Sequence, residues 1–151
     1  MPKITNPRIE TGTDELGSFT AHLWSDAGGL TQFGAFTETL TPGSASSRPH
    51  WHLHEDEMIY MVSGTVTLLE GDEQSPLHPG DVATFKAGTP VGHCLRNDST
   101  KDATYLVIGT RSGHDVGTYT DNGDTVTIAD GVKTLRSADG TVQKTSPYHG
   151  A

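Results

Sequence analysis

The sequence holds a single cysteine, Cys94, so no intrachain disulfide can form, which is compatible with a reducing compartment. A lone thiol also excludes a multi-thiolate metal site, and Cys94 reads as a small packed hydrophobe rather than a nucleophile. Basic residues are scarce: 10 Lys and Arg stand against 19 Asp and Glu, for a formal charge of -9. At that charge a phosphate backbone or an anionic membrane is repelled at long range, so neither nucleic acid nor membrane is an expected partner. The acidity itself reads as a solubilising surface and identifies no substrate. Long hydrophobic runs are missing, and Met1 to Pro7 has no apolar core of signal-peptide length, which makes a cytoplasmic protein the expectation. No apolar heptad or long helical stripe is present, so neither a coiled coil nor a helix bundle is expected.

What the chain does have is turn chemistry, with 18 Gly and 8 Pro in 151 residues. Short apolar runs punctuated by such residues predict an all-β fold, and a chain of this size buries roughly two-thirds of its unfolded surface as one domain. Strands are expected at Phe19 to Trp24, Leu30 to Leu40, Thr65 to Glu70, Ser75 to His78, Val82 to Phe85, His93 to Asn97 and Ala103 to Thr110. Asp26 to Gly29 reads as a turn and Gly71-Asp72 as a hairpin turn. Residues 1–18, polar and carrying Pro2, Pro7, Gly12 and Gly17, predict an N-terminal arm laid over a β domain of residues 19–112. Residues 113–151 form a C-terminal extension. It either packs as an extra hairpin, with Val126 to Ile128 as one strand and Asp139-Gly140 as a turn, or trails from the domain.

The densest chemistry lies at 50–64, where His50-Trp51-His52-Leu53-His54-Glu55-Asp56-Glu57 runs into the apolar segment Met58 to Val62. Alternation along a strand puts His50 and His52 on one face, where two imidazoles can grip one metal ion. A bend through Leu53 to Asp56 would let Glu57 turn back as an oxygen ligand, and Gly64 closes the segment with a turn.

The spacing His50, one residue, His52, four residues, Glu57, six residues, Gly64 resembles the first motif of the cupin superfamily. The stretch Gly80 to Asn97 resembles the second, with its His93, three residues, Asn97 ending intact. There are three departures: Lys86 stands where that motif usually has proline, four residues rather than two separate Gly88 from His93, and six rather than five separate Gly43 from His50. The strings Gly28 to Gly34, Ser46-Ser47, Ala87 to His93 and Tyr105 to Arg111, and the tail Asp139-Gly140 with Pro147-Tyr148, are similar to those of small bacterial single-domain cupins.

The resemblance implies an antiparallel double-stranded β-helix, the jelly-roll barrel, and a homodimer. It also implies one divalent transition metal per chain, held by His50, His52, Glu57 and His93. Four ligands would saturate a tetrahedral zinc but leave an octahedral ion open positions, so iron or manganese is favoured, with nickel and zinc as alternatives. The function expected is that of an enzyme acting on a small oxygen-rich molecule, with Glu57 as the catalytic candidate that leaves the metal to accept a proton. Dioxygenase, isomerase and lyase chemistry all occur on this fold and the sequence does not choose among them; the alternative is a non-catalytic ligand-binding or sensor module.

Around this set, His54 is expected in the second rank of the site or at its rim, and Glu55 and Asp56 as solvated loop carboxylates. Alternation from Glu57 turns Tyr60 outward, whereas Tyr105 has no assigned face. His22, His78, His114 and His149 read as surface residues.

Overall fold

A computed structural model of the chain describes residues 3–148. Two antiparallel sheets form a jelly roll. The first has six strands in the order β1-β2-β3-β10-β5-β8. These are β1 (Arg8–Asp14), β2 (Gly17–Leu23), β3 (Phe33–Leu40), β5 (Glu57–Ser63), β8 (Val82–Phe85) and β10 (Ala103–Thr110). The second has eight, in the order β14-β13-β12-β11-β4-β9-β6-β7. They are β4 (His50–His52), β6 (Val66–Glu70), β7 (Glu73–Leu77), β9 (His93–Arg96), β11 (Asp115–Tyr119), β12 (Thr125–Ala129), β13 (Val132–Arg136) and β14 (Val142–Pro147). Among the described residues, no helix is long and apolar enough to cross a membrane.

Period-two patterning builds the core. Ile59 and Met61 of β5, Val66 and Leu68 of β6, and Ala103, Tyr105 and Val107 of β10 face inward and pack with Leu40, Leu77, Ala83 and Leu95. Each large apolar side chain buried there contributes roughly 1.5–3 kcal/mol relative to exposure. The continuous ladder of β10 with β3 sets Tyr105 directly opposite Glu38, while β5 on the other side of β10 sets Glu57 opposite Gly109. The three-residue strand β4 lies between β9 and β11, with His50 opposite His93 on one side and Gly117 opposite His52 on the other.

Several local expectations change. The segment read as an arm contributes β1, an edge strand paired along its full length with β2. Trp24, expected to end a strand, opens the short helix α1 (Trp24–Ala27). The strand expected from Leu30 starts at Phe33, because the preceding residues belong to a turn held by Arg111, which donates to the Leu30 carbonyl and pairs with Asp26. Within the described part of the extension, β11 to β14 continue the second sheet outward from the histidine strand. Asn97, the last residue of the second motif, is structural. Fully buried, it donates to the carbonyls of Leu40 and Lys101 and accepts from Ser99.

Candidate metal centre

Each histidine of β4 is oriented through one ring nitrogen. His50 Nδ1 lies 2.9 Å from the Arg48 carbonyl, which can only accept, so Nδ1 carries the proton and Nε2 is left as the lone-pair nitrogen. His52 Nδ1 lies 2.7 Å from Asp115 Oδ2, with the same consequence. Asp115 is 3% exposed, and its second oxygen accepts the His54 amide at 2.9 Å, so the carboxylate is itself fixed. The two rings meet edge to face with centroids 5.0 Å apart.

His93 enters from β9, its ring 4.9 Å from that of His50 and stacked on Phe85 at 3.6 Å. Glu57, at the start of β5, brings Oε1 to 3.5 Å from His93 Nε2. His50, His52 and Glu57 each offer a ligand atom within 4.8 Å of the others. The His93 Nε2 atom is buried and has no hydrogen-bond partner among the described residues. Such an orphaned nitrogen is expensive in a folded interior unless something else satisfies it, and beside two imidazoles and a carboxylate a divalent cation fits that demand.

Electrostatics agree with a cation-seeking pocket. Burial alone would raise the Glu57 carboxyl, but His93, His50 and His52 around it outweigh burial and hold it below the usual carboxylate range. Burial lowers His50 and keeps it neutral, helped by the neighbouring histidines. Burial pulls His52 the same way, yet Asp115, Glu57 and Glu55 reverse the balance and raise it. Asp115 is held below its ordinary value because the hydrogen bonds from His52 and the His54 backbone overcome its burial.

The surrounding residues sort differently from the sequence reading in some cases. Glu55, expected in solvent, is a correction: it is only partly exposed, accepts the Ser112 amide and reaches to within 3.9 Å of His52. Burial, offset in part by Ser112, pushes its carboxyl upward. Asp56 does stay in solvent, but it ties loops together by accepting the Ala87 amide. His54 is exposed, its ring turned to the His114 carbonyl. Tyr60 points outward and is exposed. Cys94 is buried, which raises its thiol. His78 and His114 are exposed, whereas His22 is half-buried and stacks on Trp24; His149 lies outside the described residues.

Sequence reasoning missed Asp115 and Glu38 and left Tyr105 unplaced. Tyr105 is 1% exposed and donates its hydroxyl to Glu38 inside the barrel. Its signal was present in the alternation Ala103, Tyr105, Val107; that of Glu38 was its place between Phe36 and Leu40 on one strand face. Asp115 has no local signal, since it meets His52 across 63 positions of sequence.

Among the described residues, cavities adjoin the histidines on more than one side. One of about 180 Å³ lies inside the barrel and is lined by Glu38, Ser46, His50, Glu57, His93 and Tyr105. A second of about 180 Å³ includes Trp51, His52, Glu55, Lys86 and His93. A third of about 250 Å³ runs along the extension past Asp115 and Lys133. A larger groove of about 590 Å³, with Phe33, Met58 and Ile108, is a wide apolar hollow on the outer side of the first sheet. The histidines do not line it, but Glu57 and Phe85 do, so it reaches the edge of the same site.

The family model for the cupin domain, Cupin_2, matches residues 36–109. No curated protein matches the chain. Among solved structures, a sugar phosphate isomerase from a cupin superfamily of Silicibacter pomeroyi DSS-3 is 34% identical with a TM-score of 0.80, over 83% of this chain and 80% of that one. A candidate sugar phosphate isomerase from Acidithiobacillus ferrooxidans is 30% identical with a TM-score of 0.80, over 91% of this chain and 90% of that one. A predicted oxalate decarboxylase from Thermotoga maritima, 20% identical with a TM-score of 0.60 over 70% of this chain and 94% of that one, shares the fold alone.

Proposed function

The chain belongs to the cupin superfamily, and on that premise we propose that it is a metal-dependent enzyme isomerising a small hydroxylated carbonyl compound, with sugar phosphates as the substrate class to test first. The observation that carries the metal reading is the orphaned His93 Nε2, buried beside Glu57 and two histidines whose other nitrogens are already engaged. His50, His52, Glu57 and His93 would hold one divalent ion, iron or manganese before nickel or zinc. Bound there, the ion supplies a Lewis acid that polarises substrate oxygen.

The rest falls to the chain's own residues. Isomerisation moves a proton from the hydroxyl-bearing carbon beside a carbonyl to the carbonyl carbon, and the proton of that hydroxyl to the carbonyl oxygen, and needs no external oxidant or reductant. Glu57 would leave its ligand position to accept the carbon-bound proton and return it, while the Arg48 carbonyl and Asp115 keep the imidazoles from turning. Phe85, stacked on His93, shields that ring from water. The protein is further proposed to work as a homodimer.

The test combines metal analysis of untagged protein with incubation in D2O against aldose and ketose phosphates of three to six carbons. About one first-row ion per chain is expected, together with deuterium appearing beside the carbonyl of at least one substrate. Replacing His50 and His52 together by Ala should remove both. Full metal content in that double variant would place the site elsewhere. Metal without exchange across the whole panel would favour the ligand-binding alternative.

A further inference from the structure

The inner cavity has two unlike walls. One carries His50, Glu57 and His93; the other carries Glu38 and Tyr105, which neither the sequence motifs nor the metal reading use. Glu38 and Tyr105 are direct cross-strand partners on β3 and β10, and the phenol donates to the carboxylate. Their neighbours on the inward faces are Phe36 and Leu40 on one strand and Ala103 and Val107 on the other, all part of the core or packed against it. A purely structural position there would be filled at least as well by Leu opposite Phe, since a buried polar pair contributes little net and its carboxylate must be desolvated.

Among the described residues, only one acceptor site of the Glu38 carboxylate is used, by a donor whose single proton is thereby committed. The wall therefore offers acceptors to the cavity. It suits a hydroxyl group, which can donate to Glu38, and repels a carboxylate or phosphate. We propose that Glu38 and Tyr105 form a hydroxyl-anchoring subsite, which orients a small hydroxylated ligand with its hydroxyl toward this pair and its carbonyl or carboxylate toward His50, Glu57 and His93. About 180 Å³ equals the share of roughly six water molecules, enough for the hydroxylated reacting end of a substrate, about six non-hydrogen atoms, with a phosphate group lying outside this cavity. Burial raises the Glu38 carboxyl, partly countered by Tyr105, so a donated hydroxyl would also relieve a desolvated group.

The inference rests on the metal-centre reading, and the experiment separates the two. Holoprotein is titrated calorimetrically with 3-hydroxypropanoate and with propanoate, which differ only in the distal hydroxyl, and metal content is measured on the same samples. Wild type should prefer the hydroxylated probe by about tenfold, as for a hydrogen bond to a charged acceptor. In the double variant Glu38→Met with Tyr105→Phe, both polar partners leave together, so the fold and metal should persist while the preference falls to about one. A preference retained in that variant, or absent from metal-loaded wild type, overturns the subsite. Should the double variant fail to fold, Glu38→Gln decides: it keeps volume and an acceptor for Tyr105 but not the charge, and an unchanged preference overturns the inference. Wild type that binds no metal sinks the proposed function instead, and the metal assay identifies that failure.

Discussion

A neutral imidazole binds a divalent ion through one nitrogen, so the partner of the other nitrogen decides whether the ring is ready. His50 relies on a backbone carbonyl that no side-chain substitution removes, whereas His52 relies on Asp115, which one substitution does remove. Asp115→Asn keeps the shape but weakens the acceptor and frees the ring, and metal affinity should drop by about 10- to 100-fold, as measured by chelator competition. The same pair sets the pH response. His50 is lowered, so in metal-free protein its stabilising contribution is present above the unfolded reference of about 6.5 and fades as pH falls toward the folded value. His52 is raised, so its contribution is full below that reference and is lost as pH rises through its folded value. An incoming ion must displace the extra proton of His52, so affinity should keep rising with pH beyond about 6.5 in wild type. In Asp115→Asn the rise should end at lower pH. Apparent dissociation constants from pH 5.5 to 8.5 in steps of roughly half a unit check this, and an affinity already flat at about 6.5 in wild type would contradict it.

At the level of elements, Gly64 shows why a motif glycine is required between β5 and β6. Its φ is +72°, and a Cβ there would stand 2.5 Å from the Asp102 carbonyl oxygen and 2.8 Å from Ala103 Cα, both backbone atoms with little room to yield. Gly64→Ala should therefore destabilise by about 2 kcal/mol or more in urea unfolding, strain and overlap adding together. This turn, the Gly71-Asp72 hairpin and the bounds of β8 and β10 were legible in the sequence because each rests on local chemistry: a turn residue, or alternation between two faces. The motif spacing likewise picked out His50, His52 and Glu57, whose ligand atoms the fold brings together. The strand β11 was not legible. Asp115-Val116-Gly117-Thr118-Tyr119 has little apolar pattern of its own and is a strand because β4 and β12 flank it. The inward face of Glu38 could be read from its alternation with Phe36 and Leu40, but its partner Tyr105 is set by the register of β3 on β10, which no local pattern encodes. A chain ended after Ser112 tests what β11 adds. It would leave β4 paired only through His50 with His93, and would lack Asp115. Its metal affinity should fall at least as far as in Asp115→Asn, by about 10- to 100-fold or beyond, and retention of wild-type affinity would show that the extension is dispensable to the site.

For the whole molecule, the acidic surface and the apolar outer face of the first sheet pull in opposite directions. Met58, Tyr60 and Val62 project from β5 on that face, Val82 of the edge strand β8 lies opposite Tyr60, and all four are exposed. Leu106 and Ile108 of β10, opposite Tyr60 and Met58, extend the same surface. An apolar sheet face next to an unpaired edge invites a second copy of the chain, which would bury on the order of 800 Å² per partner in an ordinary stable interface. Each copy also carries a formal charge of -9, so approach is opposed over the Debye length, about 10 Å at 0.1 M salt but only about 3 Å at 1 M. A dimer formed through this face should therefore tighten as salt is added, the reverse of one held by ion pairs. Light scattering at about tens of micromolar protein should find a dimer, with its dissociation constant falling between 0.1 M and 1 M salt. Tyr60→Lys combined with Val82→Lys should yield monomers with unchanged metal content, because both side chains point away from the histidines. A dimer that loosens with salt, or that survives both lysines, would mean that the contact is made by a different surface.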